Sequence, residues 1–155
     1  MVSFSKEYKC HMDASTTKQL EEILSHIQDE KQMEKFMEHP KVSDSYRDFI
    51  SYYLSLPSTQ NLTDTDLIER SGLEKSYYYQ IRKGTRHPSR DKVLRLCIGG
   101  NLSLRETTRA LELNGSAPLY PKNRRDIILT VALNQKASLI DTNLLLDQYG
   151  EEPLA

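Results

Sequence analysis

Two thirty-residue stretches of this chain read as copies of one pattern. At an offset of 35, RDKVLRLCIGGNLSLRETTRALELNGSAPL (90–119) lies over RDIILTVALNQKASLIDTNLLLDQYGEEPL (125–154). Identities fall at Arg90/Arg125, Asp91/Asp126, Leu94/Leu129, Ser103/Ser138, Leu104/Leu139 and Thr107/Thr142, then at Leu111/Leu146, Gly115/Gly150, Pro118/Pro153 and Leu119/Leu154. Helical periodicity alone brings leucines into line, but it has no reason to align Ser, Gly and Pro. Each copy reads as a helix, a short turn, a second helix capped by Ser103 or Ser138, and an end closed by glycine. Two such units are too few for a solenoid, yet stacked helix pairs bury faces that neither buries alone.

The rest of the chain follows the same period. Leu20, Ile23, Leu24 and Ile27 recur at helical spacing, and Met33, Phe36 and Met37 extend a looser apolar face. They predict one helical arm over about 16–38, capped by Ser15 or Thr16 and ended by His39-Pro40. Such an arm either docks on the body of the protein or pairs with a second copy. A helix is predicted from about Asp44 to Leu56, with Tyr46, Phe49, Ile50, Tyr53 and Leu54 inward; Pro57 should stop it and PSTQN form a loop. Thr63, with Asp66 three residues on, opens a short helix ending at Gly72. EKSYYYQIRK supplies another, closed by Gly84, and Pro88 introduces the next. No strand-like alternation competes, so the class is all-α.

Charge is unevenly spread behind a net −1. Residues 1–50 hold 7 Lys/Arg against 10 Asp/Glu, whereas residues 75–95 hold 7 (Lys75, Arg82, Lys83, Arg86, Arg90, Lys92, Arg95) against Asp91 alone. A local basic stripe in a near-neutral chain marks a candidate surface for phosphates. Cys10 and Cys97 have neither metal-ligand spacing nor disulfide density; Cys97, within VLRLCI, reads as a buried small hydrophobe, and both thiols are expected reduced. His11, His26, His39 and His87 are scattered, and no GxSxG, HExxH or phosphate-cradling glycine loop occurs. The expectation is therefore no enzyme, no catalytic residue, no metal and no cofactor. No run approaches the length of a membrane span, and MVSFSKEYKCHMD lacks the apolar stretch of a signal peptide. A cytoplasmic chain without membrane contact is expected.

From Leu62 to Pro88 the residues LTDTDLIERSGLEKSYYYQIRKGTRHP place two short helices about a glycine turn. Leu67, Ile68, Leu73, Tyr78 and Ile81 are predicted inward. Leu67, Gly72, Ile81, Gly84 and the Arg86-x-Pro88-Ser89 loop together resemble the helix-turn-helix of the phage lambda repressor and Cro family, also called the xenobiotic-response-element family. The resemblance runs from about Tyr46 to about Leu113, close to half the chain, with the glycine spacing in register and Cys97 where the family has a small alanine. It implies a lambda-repressor-like domain that lays its third helix, about residues 75–83, in the major groove of double-stranded DNA as a transcriptional regulator. By position, Lys75, Ser76, Tyr79 and Gln80 would meet base edges, with Glu74 beside them. Thr63, Arg82, Lys83 and Arg86 would meet phosphates.

The chain also departs from the pattern. Asp64 stands where the family commonly has Gln, Arg82 replaces a familiar Glu, Tyr78 replaces a buried aliphatic residue, and Glu74 opens the third helix. Of Tyr77, Tyr78 and Tyr79, one is expected in the core and the others on sugars or a protein partner. The alternative reading is a protein–protein interaction module of the same fold, with Tyr52, Tyr53 and Tyr77 to Tyr79 as aromatic anchors. The organisation expected is an N-terminal arm (1–42), a helix-turn-helix domain (43–119) and a C-terminal helix pair (120–155). The arm and the pair are candidate surfaces for a homodimer or a protein partner.

Overall fold

The computed structural model describes residues 17–38 and 48–155; its chain divides into two compact units, Met1–Ser45 and Tyr46–Ala155. Ten helices and no strand occur among the described residues. Ser15, Thr16, His39-Pro40 and Tyr46, to which caps, a stop and an apolar position were assigned, lie outside them, as does the predicted helix start at Asp44.

In the first unit the predicted single arm is two helices, α1 (Thr17–Leu24) and α2 (Glu30–Met37). The break has a local cause. Asp29 takes extended backbone and its carboxylate accepts from the Gln32 N–H at 2.7 Å, so a new N-terminus is capped where a continuous helix was expected. Ile23 and Phe36 are buried with Leu20 and Ile27 packed against them, while Leu24, Met33 and Met37 stay exposed.

The second unit holds eight helices. Asp48 caps α3 (Phe49–Ser55), accepting from Ser51 N–H at 2.8 Å. Pro57 does not open a loop, as predicted; it sits in the first turn of a four-residue helix, α4 (Pro57–Gln60), where its missing N–H leaves nothing unsatisfied. Thr63 and Asp66 form a reciprocal capping box at the start of α5 (Asp64–Ser71), and Gly72 ends it at φ 65°. Next come α6 (Lys75–Arg82) and α7 (Arg90–Gly99), the latter capped by Ser89. Ser103 caps α8 (Leu104–Leu113), Asn123 caps α9 (Arg124–Asn134) and Ser138 caps α10 (Leu139–Gln148). One core unites them, with Tyr53, Leu67, Tyr78, Ile81, Leu94, Leu96, Leu111, Leu129 and Leu146 fully buried.

Two glycines let the layers approach. A Cβ on Gly99 would stand 2.9 Å from the Ser71 backbone nitrogen, so α5 rests directly on the end of α7. A Cβ on Gly100 would stand 2.7 Å from the Tyr53 hydroxyl, which donates to the Leu96 carbonyl at 2.6 Å.

The two copies occupy matching places. Leu94/Leu129, Thr107/Thr142 and Leu111/Leu146 are all fully buried, and Asn101 and Lys136, one offset apart, share φ values of 57° and 55°. Their contacts are reciprocal: α7 meets α10 while α8 meets α9. Arg90 donates a fork to Asp126 at 3.1 and 3.0 Å, and Arg125 donates the same fork to Asp91 at 3.1 and 3.0 Å. Each guanidinium then reaches the tail of its own copy: Arg90 the Ala117 and Pro118 carbonyls, Arg125 those of Glu152 and Pro153. The aspartates close the circuit by accepting from Tyr120 N–H and Ala155 N–H, both at 3.0 Å. Residue i touching j′ while i′ touches j is the rule of a two-fold contact. Here it lies within one chain.

Candidate nucleic-acid interface

The α5–turn–α6 segment is where the sequence reading placed function. Of the residues predicted inward, Leu67, Leu73, Tyr78 and Ile81 are buried in the main core and Ile68 is half-buried. Holding those four side chains fixes α6 from behind and turns its other face outward. Lys75, Ser76, Gln80 and Lys83 are exposed along one stripe and Tyr79 is half-buried beside them. These positions are i, i+1, i+4, i+5 and i+8, which share a helical face. Glu74 is exposed at the N-cap position and makes no capping bond.

The loop after α6 is tied back to that stripe. Arg86 donates through Nε to the Gln80 side-chain oxygen at 2.7 Å, so the two predicted contact residues are joined. Its guanidinium lies 5.0 Å from the Tyr77 ring centre, with Lys92 Nζ at 5.8 Å from the same ring. Tyr77 thereby holds two cations at the edge of the surface.

The basic stripe is less uniform in space than in sequence. Arg90 is turned into its fork with Asp126. Arg95 closes the end of α5, donating to the Ser71 and Gly72 carbonyls at 2.9 and 2.8 Å. Arg82 is paired with Asp64 at 2.6 Å. Among the described residues no carboxylate pairs with Lys75, Lys83 or Arg86.

Three departures from the family pattern form one cluster. The Asp64 carboxylate takes the Arg82 guanidinium on one oxygen and the Tyr78 hydroxyl, at 2.7 Å, on the other. Burial, then the hydrogen bond to Asp64, raises the Tyr78 phenol well above its ordinary range, so the hydroxyl remains a donor. In the sequence Asp64, Tyr78 and Arg82 look unrelated, and their coupling emerges only when α5 and α6 are packed together. The capping box also takes up the Thr63 N–H, one of the donors that residue would offer a phosphate. Its N–H donates to the Asp66 carboxylate at 3.0 Å and its hydroxyl accepts from Asp66 N–H at 3.1 Å. Hydrogen bonding from the Thr63 backbone, then from its side chain, holds the Asp66 carboxyl below its usual pKa.

Other candidates are accounted for elsewhere. Cys97 is fully buried, and burial pushes its thiol up to about 12, so it is a core residue rather than a nucleophile. His87 shares a 2.8 Å hydrogen bond with the Asn114 carbonyl. Among the described residues, no group of three or more His, Cys, Asp or Glu gathers as a metal site, and no helix is long and apolar enough to cross a membrane.

Comparison with protein families, curated proteins and solved structures finds no match to this chain.

Proposed function

We propose that this chain binds double-stranded DNA sequence-specifically as a transcriptional regulator, without catalysis, by laying α6 in the major groove. The observation that carries the reading is the α6 stripe. Lys75, Ser76 and Gln80 face outward on a helix whose back is locked by Leu67, Leu73, Tyr78 and Ile81. An eight-residue helix is about 12 Å long, comparable with the width of the groove it must enter. Lys75 is suited to guanine O6/N7. Gln80 is suited to adenine N6/N7, because the bond from Arg86 leaves its amide nitrogen available and one lone pair on its oxygen. Lys83 and Arg86 supply phosphate contacts at the end of the helix.

The Asp64 cluster refines the assignment. Arg82, engaged by Asp64, contributes less to phosphate binding than its position implies, and the N-terminus of α5 carries Asp64 and Asp66 where an anion would dock. Affinity thus rests on few cations. With about two or three phosphates neutralised by Lys83, Arg86 and Lys92, the salt slope of the binding constant should be roughly −2 to −3. The interaction-module reading loses two of its anchors, since Tyr53 and Tyr78 are fully buried.

A selected-duplex assay with the wild type beside Lys75→Ala/Gln80→Ala tests the reading. The double variant should lose sequence preference and keep weak, salt-sensitive binding. Absence of any enriched duplex for the wild type, even at low salt, would rule the proposal out and leave the interaction module.

A further inference from the structure

The two copies of the hairpin are clothed differently. In the first copy, Leu96 on α7 is fully buried beneath Tyr53, and Asn114 after α8 is 6% exposed. Their counterparts in the second copy, Val131 and Tyr149, are 41% and 50% exposed and line an open groove of about 690 Å³ with Ile127 and Leu145. Nothing corresponding to α3 lies there within the second unit. Yet the uncovered copy is the more apolar one. Lys92, Arg105, Arg109 and Asn114 in the first copy are Ile127, Ile140, Leu144 and Tyr149 in the second. A face kept for water favours the opposite exchange, and exposed apolar side chains gathered on one hairpin mark an interaction surface.

The surface has two complementary parts. Ile140 and Leu144, 73% and 62% exposed, stand one turn apart on α10 and form an apolar ridge. Exposed Asp141 and Asp147 flank that ridge. The groove is rimmed instead by Lys122, exposed, and by Arg124, which reaches the Tyr149 carbonyl at 2.9 Å and lies 3.8 Å from Glu151. An acid-flanked ridge and a base-rimmed groove on the same hairpin fit one occupant best.

We propose that a second copy of this chain covers this face, the α10 ridge of each copy seated in the α9–α10 groove of the other. The exchange is isologous, so it closes at two chains and leaves no ridge free for a third. It buries Ile127, Val131, Ile140, Leu144 and Tyr149 together and brings Asp141 and Asp147 towards Lys122. The pairing needs neither DNA nor α6, so it stands apart from the function proposed above.

Sedimentation velocity of the full chain without DNA reads it directly. The wild type should sediment as a dimer at micromolar concentration, and Leu144→Arg should convert it to a monomer. Because both the leucine and Lys122 are exposed, the helix content of the variants should change little and their unfolding should stay cooperative, as circular dichroism will show. Lys122→Glu places like charges at the ridge and should weaken dimerisation roughly tenfold, since a two-fold interface contains the contact twice. It also gives an independent reading should the arginine variant misfold. A wild type that is monomeric at about 100 µM, or a dimer that both variants leave intact, overturns the proposal.

Discussion

Asp64 is the residue on which the stability and the proposed function of this chain pull in different directions. Its carboxylate joins α5 to the far end of α6 through Tyr78 and Arg82. Replacing it with Ala leaves the Tyr78 hydroxyl without its partner and the guanidinium unpaired. A loss of about 1–2 kcal/mol is expected, read as a lower denaturation midpoint. The same change removes a negative charge beside the proposed phosphate path and releases Arg82. Asp64→Ala should therefore bind DNA more tightly at low salt, with a salt slope steeper by roughly one. Stability lost with affinity gained separates this cluster from an ordinary structural ion pair, whose removal would lower both. The residue types were readable from the sequence, but the cluster was not. Asp64 meets Tyr78 and Arg82 across the Gly72 turn, and a helical period does not carry through a break in the helix.

At the scale of elements, what could be read in advance was what is encoded within a few residues. The Thr63–Asp66 box, the Gly72 turn and the Ser103 and Ser138 caps each depend on neighbours three or four positions away. The break at Asp29 was equally local but was outvoted by apolar residues that kept helical spacing on both sides of it. Pro57 does stop α3, but the loop expected after it is a short helix, because proline is also well suited to a first turn. The close contact of α5 with α7 was hidden for another reason: Gly99-Gly100 reads as a turn, while its use is to admit the α5 backbone and the Tyr53 hydroxyl. Gly99→Ala should cost about 2–3 kcal/mol, since backbone atoms of α5 must give way. The second copy supplies its own control. Asn134, at the position equivalent to Gly99, is exposed, and Asn134→Ala should leave the melting temperature within a degree or two.

The two hairpins of the second unit are clasped by the crossed arginine–aspartate forks. Burial alone would raise the Asp91 carboxyl, but hydrogen bonds from Arg125 and the Ala155 N–H, with the nearby positive charge, set it below the ordinary 3.8. A depressed carboxylate stabilises the fold fully above its unfolded value, and that stabilisation disappears as pH falls through the lower folded value. Acid titration of the wild type should thus lose stability from about pH 4 downward. Asp91→Asn should be less stable at pH 7 and lose less on acidification, because the carboxylate contribution is already gone. The paired Arg-Asp letters were plain in the repeat; that each arginine would choose the aspartate of the other copy was not, because the crossing exists only once the hairpins are laid together. Reciprocity of this kind has a consequence for ancestry. Any single hairpin carrying the arginine, the aspartate and its own Pro-Leu tail already possesses both halves of the lock, so two separate strands of such a peptide could clasp each other before one gene ever joined them. The chain as it stands is a tethered pair, its first member roofed by α3 and its sibling left bare.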